Sequence, residues 1–547
     1  MQGIFARAVG GAFLLGLTVW SCSSAFSEGY QPGMGGEGGE PAIGGAGDEA
    51  AGNPTAAIAG AETSGGVASE GGSGSISEGL RVLETTPLDG ASSIERDASV
   101  AVTFSAAIGA SSITAESFRV TGPNGVVEGQ LKVNGATVTF APKAPWALLT
   151  DYVVDVAKTV AGTEAGALGT AYKFGFQSRD GVFRKPLRLT TQSTINLDVS
   201  GNRAGHVVAS WSDGATPASA FAVSFDPVVG AWGAPAALEK DNANAHDFVS
   251  VALNQKGDAF SVTGNTVAAW NRAARGVWGN ASATGIAQTR RVALADDGVA
   301  MTVWENIVGS DWQCFAASLA ADNKWSTTTT LHNQARSWGV VAYGSGFLAF
   351  QAHDPNRQMF SRVFDPTQGW LSPKPITAAD SSANYVSYKT LAPEALFTWN
   401  DSKGRMQASL FNGEAWTSEE LGPVGGGTNS SVGPKGHLAT WLYNKNAYAA
   451  RYDAASGWAD PITLGPTTAE DHGPGAAMDE SGNALAAWPE GGSISWRRSP
   501  HGSLDWLDAQ QIKDQDPYGA VFAAGNAAGE VVLVWANPLG LWASRFE

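Results

Sequence analysis

Apolar and polar residues alternate along most of this chain with a period of two, which predicts β-strands rather than helices. Between about residues 80 and 178 the runs Val100-x-Val102-x-Phe104, Phe118-x-Val120, Val138-x-Phe140, Tyr152-x-Val154-x-Val156 and Tyr172-x-Phe174-x-Phe176 are separated by turn signals such as Pro87-x-Asp89-Gly90 and Pro123-Asn124-Gly125. From residue 179 onward the alternation follows a repeat. One class of tryptophan (Trp232, Trp278, Trp325, Trp370, Trp416, Trp458, Trp506) recurs every 42–48 residues. It opens a W-x-x-P-x-x-L phrase, clear at Trp232/Pro235/Leu238 and Trp458/Pro461/Leu464 and reduced to its ends at Trp325/Leu331 and Trp506/Ile512. A second phrase runs from glycine to tryptophan six positions on, at Gly205/Trp211, Gly298/Trp304, Gly482/Trp488 and Gly529/Trp535. Phe350 replaces the tryptophan after Gly344, and the copy at 257–263 lacks the aromatic.

Each unit reads as four short strands. The first precedes the Gly turn, the second ends at the tryptophan of the Gly-to-Trp phrase, the third alternates aromatics as in Tyr448-Ala449-Ala450-Arg451-Tyr452, and the fourth carries the tryptophan of the W-x-x-P-x-x-L phrase, as at Trp458. A four-stranded antiparallel sheet repeated at this period is a β-propeller blade. The tryptophans are expected between blades, as packing rather than ligand contacts, because burying one removes roughly 150–250 Å² from water. The chain stops after three strands of its last unit, and Phe183/Pro186/Leu189 has the spacing of Trp458/Pro461/Leu464. Residues 181–190 are therefore predicted to complete the last blade, giving eight blades over 179–547.

Composition sharpens this picture. The net charge is −17, charged residues are 16% of the chain and glycines number 68. Such acidity argues against a nucleic-acid surface, which needs a basic footprint. With two cysteines there is no disulfide framework. Arg7 and the apolar stretch from Val9 to Trp20 form a targeting segment too short to span a bilayer. Residues 23–79 are rich in Gly, Ala, Ser and Glu, with eight acidic residues and no Lys or Arg. This segment is expected to stay disordered and to act as a tether about 40 Å in r.m.s. span.

Three resemblances add to this reading. Val19-Trp20-Ser21-Cys22 resembles a bacterial lipobox, with Trp20 where a small residue is usual. That resemblance implies cleavage after residue 21, acylation of Cys22, a membrane anchor, and an outer-membrane location because Ser23 rather than Asp follows. Residues 80–178 resemble bacterial Ig-like domains, through Pro87-x-Asp89-Gly90-Ala91, Val102-Thr103-Phe104-Ser105, Thr139-Phe140-Ala141-Pro142 and the closing Phe174-x-Phe176. They imply a spacer sandwich in which Tyr152 bonds backbone as a corner tyrosine. The turn from Arg498 to Trp506 resembles a degenerate sialidase Asp-box, and Phe183-Arg184-Lys185-Pro186 resembles that family's arginine-bearing segment. The expected architecture is all-β: signal peptide 1–21, tether 22–79, Ig-like sandwich 80–178, eight-bladed propeller 179–547.

Chemistry is sparse. No CxxC, HExxH, EF-hand or G-x-S-x-G phrase occurs, so no metal, cofactor or catalytic set is expected. Asp296-Asp297-Gly298 and Asp479-Glu480-Ser481-Gly482 read as turns, and Cys314 as a buried small hydrophobe. In a propeller, the connectors from fourth to first strand share a face with the hairpins after the second strand. His246, His332 and His472 fall in the connectors and His353 in such a hairpin, with Phe248, Trp338, Tyr385 and Tyr518 near the connector ends. Those eight residues are the candidate ligand face. The expected function is a non-enzymatic, monomeric, lipid-anchored envelope protein, periplasmic or surface-exposed, that binds a glycan or a protein. A sialidase-like glycan hydrolase and an envelope assembly factor are the alternatives.

Overall fold

The computed structural model describes residues 79–547 except 216–217, 243–248, 264–268, 275, 281, 284–288, 354–356, 380 and 504. The expected signal peptide, Cys22, the tether, His246 and Phe248 lie outside the described residues.

The N-terminal module is a sandwich of two sheets. One orders Val82–Thr86, Val100–Phe104, Thr137–Pro142 and Gly129–Asn134; the other orders Ala91–Ile94, Tyr172–Ser178, Asp151–Val156, Phe118–Gly122 and Gly125–Val126. The alternating residues read from the sequence face inward: Val100, Val102, Phe104, Val154, Val156, Phe174 and Phe176 form one core. Tyr152 accepts a 2.9 Å hydrogen bond at its hydroxyl from the Ala147 backbone N–H. This is the backbone contact expected of a corner tyrosine. Trp146, fully buried, completes the core by packing at a tilt against Tyr152 and edge-on against Phe176, and it donates to the Ala98 carbonyl at 2.8 Å.

Eight further sheets follow. Blade 1 runs from Ile195–Gly201 to Ala236–Asn242, blade 2 from Val249–Leu253 to Ser282–Ala283 and blade 3 from Thr289–Leu294 to Thr329–His332. Blade 4 runs from Ala335–Tyr343 to Lys374–Pro375, blade 5 from Ala383–Leu391 to Trp416–Pro423, blade 6 from Thr428–Gly433 to Ile462–Pro466 and blade 7 from Gly475–Met478 to Gln510–Ile512. Blade 8 joins Phe522–Gly525, Val531–Asn537 and Gly540–Phe546 to Leu187–Thr190. The first strands of all eight line one central cavity of about 520 Å³. The ring is therefore an eight-bladed β-propeller.

Closure is as the spacing predicted. Leu187 pairs with Ala543, Arg188 with Trp542 and Thr190 with Leu541, and Phe183 bridges to Phe546. The Phe183 ring lies 5.2 Å from Trp496 and 5.1 Å from Phe546. The segment likened to a sialidase arginine site serves this closure, and Arg184 donates from Nε to Glu547 Oε1 at 2.7 Å.

Two details depart from the sequence reading. The second strands do not end at tryptophan but run past it, to Val308 in blade 3 and Glu490 in blade 7. The fourth strand is often broken, as at Gly457–Trp458 and Ile462–Pro466, because Pro461 between them has no N–H to give the ladder. The two tryptophan classes pack differently. Trp211, Trp441, Trp488 and Trp535 are wholly buried, and Trp441 and Trp488 donate to the carbonyls of Pro423 and Pro466 in the preceding blades. Fourth-strand tryptophans instead lean on a third-strand aromatic of their own blade, Trp370 on Phe364 and Trp458 on Tyr452.

A third-strand arginine adds a link that the repeat did not suggest. Arg272, Arg451, Arg498 and Arg545 occupy equivalent positions, opposite Phe260, Leu438, Leu485 and Val532. Each reaches the following blade. Arg272 donates to Gly298 O and Ala320 O, and Arg451 to Gly482 O, Pro500 O and Ser503 O. Arg498 lies over the Phe546 ring, and Arg545 over Phe225 of blade 1. The turn likened to an Asp-box is held here as a backbone clamp for Arg451.

The sandwich docks on the ring. Leu148 is buried in the apolar cluster between blades 7 and 8, and its N–H donates to Ala528 O at 2.9 Å. Around it, Thr150 and Ser481 hydroxyls meet at 2.9 Å, Arg96 pairs with Glu530 at 2.7 Å, and buried Arg498 holds Asp479 and Asp180 at 3.4 and 3.3 Å. These contacts use the turns between first and second strands, so the sandwich covers part of the face opposite the connectors. Removing residues 181–190 is expected to abolish solubility or sharply lower the melting temperature. Phe183→Ala should cost about 2–4 kcal/mol, below the loss for a fully buried Phe because Phe183 is half-buried. An unchanged thermal melt for both variants would contradict closure.

Candidate functional site

Polar residues collect in one inter-blade seam. The position after the second-strand aromatic is Glu305 in blade 3, Gln351 in blade 4 and Asn400 in blade 5, but Leu442, Pro489 and Ala536 in blades 6 to 8. In blade 3, Glu305 and Cys314 form a cross-strand pair, and Cys314 pairs in turn with His332. In blade 4, Ser337 and Phe360 both pair with Gln351, and His353 pairs with Ala335. The period of two puts Ser337, Gln351, Phe360 and His353 on one side of the blade 4 sheet. That side faces blade 3, since Ser337 N–H donates to Glu305 Oε2 at 3.0 Å.

Two of the expected face residues meet here. The His332 and His353 rings stack at 3.8 Å, and Phe360 continues the stack at 4.0 Å from His353. Gln334 N–H donates to His332 Nδ1 at 3.0 Å, which leaves the proton of the neutral ring on Nε2. His353 Nε2 lies 3.4 Å from Gln351 Oε1. Burial pushes both imidazoles below the usual histidine range, and for His353 burial and the neighbouring His332 bring the value to about 4. Cys314 is fully buried, and burial followed by the Glu305 charge pushes its thiol up to about 12. It stays a neutral thiol, the buried residue expected, and has no nucleophilic character at neutral pH.

The seam opens into a cleft of about 450 Å³ lined by Asp311, Thr330, Leu331, His332, Asn333 and Gln334. Beside it the second–third strand hairpin of blade 3 extends beyond the first and fourth strands, with Ile307 54% and Val308 47% exposed. Trp312 on this hairpin carries the Arg336 guanidinium 4.5 Å above its ring.

The other expected residues are dispersed. Trp338 sits at a bulge between Ser337 and Gly339, and its ring packs into the core between blades 4 and 5. Its removal would disturb packing as well as any ligand. Tyr385 occupies a second bulge, between Asn384 and Ser387, at φ +47°. A bulky side chain in the left-handed region costs roughly 1–3 kcal/mol. The Thr428 hydroxyl donates to the Tyr385 carbonyl and braces the bulge. His472 is buried, so its ring does not present itself to solvent. Tyr518 is exposed on the connector between blades 7 and 8. Trp312, Arg336, Gln351 and Phe360 did not emerge from the sequence reading. Aligning the residue after each second-strand aromatic would have exposed Gln351; the other three meet only through contacts across blades. The Asp296 and Asp479 turns are structural: Asp296 Oδ1 accepts from Gln255 N–H, and Asp479 Oδ1 from Asn483 N–H. Among the described residues no three His, Cys, Asp or Glu side chains are grouped to hold a metal ion.

Residues 77–178 match the bacterial Ig-like domain family. No curated protein matches the chain. Solved structures with a similar backbone include the Dos1 propeller, 10% identical over 67% of this chain and 95% of that one, with a TM-score of 0.46. A six-bladed fungal lectin from Aleuria aurantia is 10% identical over 50% and 96% of the two chains (TM-score 0.32), and a Dyadobacter fermentans protein of unknown function is 11% identical over 67% and 99% (TM-score 0.36). The described residues hold no helix long and apolar enough to cross a membrane.

The stacked histidines set a pH dependence. Folded His353 resists protonation to about pH 4, whereas an unfolded histidine takes its proton near 6.5. Between those values the unfolded chain binds more protons, so stability falls as pH drops through that window and levels off below it. Buried His437, also pushed down to about 4 by burial, adds to the same slope. Thermal melts of His353→Phe between pH 7 and 4.5 should therefore lose less than the natural protein. Equal losses would show that His353 is not held neutral.

Proposed function

We propose that this chain is a lipid-anchored binding protein of the bacterial cell envelope, held through Cys22, whose propeller recognises a glycan or protein ligand without transforming it. The observation that carries the reading is the seam between blades 3 and 4. It combines a flat ring stack, an arginine-capped tryptophan and an adjoining cleft on the connector face, the combination of apolar surface and a few convergent polar groups that marks ligand sites. The Ig-like module docks on the opposite face, which leaves the seam directed away from it.

The anchor reading rests on the lipobox resemblance, with two or more acyl chains holding firmly at about 0.8 kcal/mol per buried CH₂. Metabolic acyl labelling should mark the natural protein and fail on Cys22→Ala; label persisting on the variant would refute the anchor. Recognition is tested by screening the full chain against glycan and protein-partner panels. Trp312→Ala and His353→Ala should each weaken any hit about tenfold or more, near 1.4 kcal/mol, without changing the melting temperature beyond the histidine effect. Hits retained by both variants would remove this seam from consideration.

A further inference from the structure

The hydrogen-bonding balance of the seam is one-sided. Gln351 is 1% exposed, yet its Nε2 has no acceptor among the described residues, while its Oε1 faces His353. Arg336 Nε is likewise buried without an acceptor. His332 turns its protonated Nε2 away from Gln334, because Nδ1 is already occupied. Of the acceptors, Glu305 Oε2 receives Ser337 N–H, and Gln351 Oε1 lies against His353. A buried donor left unpaired carries a cost that a ligand acceptor would remove. The seam therefore asks for an acceptor. The guanidinium beside it asks for a charged one, since its planar fork matches a carboxylate with two parallel hydrogen bonds.

The surroundings indicate what bears that carboxylate. Ile307 stands exposed near the hairpin tip, directly opposite Trp312 in the ladder, and Trp312 carries Arg336. An exposed aliphatic residue beside a Trp–Arg pair has the composition of a protein-contact centre, where Trp and Arg dominate and apolar neighbours exclude water. Asp311, also exposed at the tip, is the opposing feature, since its charge repels an anion.

We propose that the seam between blades 3 and 4 docks an acidic–apolar peptide segment of a partner protein. Its Asp or Glu carboxylate is received by Arg336, and its apolar side chain lies against Ile307 and Trp312, which share one face of the hairpin. This deepens the binding role proposed above and rests on it.

The experiment uses the full chain and four fluorescent probes: a Glu/Leu-rich peptide, its Lys/Leu counterpart, polygalacturonate and a neutral glucan. The Glu/Leu peptide should bind while the Lys/Leu peptide does not. Arg336→Gln should weaken the Glu/Leu peptide at least tenfold, and Asp311→Asn should strengthen it two- to threefold, with thermal melts confirming that both variants fold. Binding of polygalacturonate instead would show the right charge on the wrong kind of ligand and overturn the peptide assignment. A neutral glucan that depends on Trp312 but not Arg336 would overturn the acidic assignment while leaving a binding seam in place. Failure of every probe, with no hit in the glycan and partner panels that responds to Trp312→Ala, would remove both readings. Failure of every probe alongside a Trp312-dependent hit insensitive to Arg336→Gln would overturn this one alone.

Discussion

The structure depends on one strand pairing, between Leu187–Thr190 and Gly540–Phe546. Propeller blades have little to hold them except their neighbours, so an open array would leave two unpaired faces and an exposed strand edge. Joining the first ordered residues of the ring to the last makes every blade an interior one. It also fixes the sandwich: residues 179–186 leave the Ig-like module and enter blade 8, so Leu148, Thr150 and Arg96 are brought against the turns of blades 7 and 8. The Arg498–Asp479–Asp180 group lies at the same junction, and Arg498 there also lies over Phe546 of the closing blade. Closure and domain docking are thus one cooperative unit rather than two separate features.

Given a closed ring, the seams between blades differ in what they can do. Most are sealed by large apolar side chains, such as Trp488, Trp535 and Leu533. The seam between blades 3 and 4 contains Glu305, Cys314, Ser337, Gln351, His332 and His353. Polar groups in a seam weaken packing unless each is satisfied. Several of these are, through Ser337 to Glu305 and Gln334 to His332, but the Gln351 amide is not. The fold can carry this local loss because the other seams, and the arginine links from blades 2, 6, 7 and 8, stabilise the ring independently. The proposed binding seam is this polar one, and it opens on the face away from the docked sandwich.

The ring was legible in the sequence because its signal is volumetric. Each blade needs a large residue at the same radius, so tryptophan returns at the blade period, and even the split blade shows itself through Phe183, Pro186 and Leu189. The corner role of Tyr152 came from the resemblance to Ig-like sandwiches, and the Ala147 N–H to Tyr152 hydroxyl bond agrees with it. The site was less so. His332 and His353 share a face by topology, which the sequence order predicts, but their stacking depends on a seam between two different blades. Arg336 over Trp312 is likewise a contact across that seam, and no repeat spacing encodes it. Trp338 and His472 fall on the expected face by position, yet a bulge in one case and burial in the other turn them toward packing. The docking of the sandwich was hidden as well, because Leu148 reads as one more apolar residue in a loop.

The most direct test of closure is native-state hydrogen exchange. In a sealed ring, the outward-facing amides of Gly540–Phe546 are paired with Leu187–Thr190 and should be protected as strongly as those of Asn446–Asp453, a third strand covered on both sides in blade 6. Exchange of the 540–546 amides at the rate of an uncovered strand edge, with blade 6 protected, would contradict the account at its base.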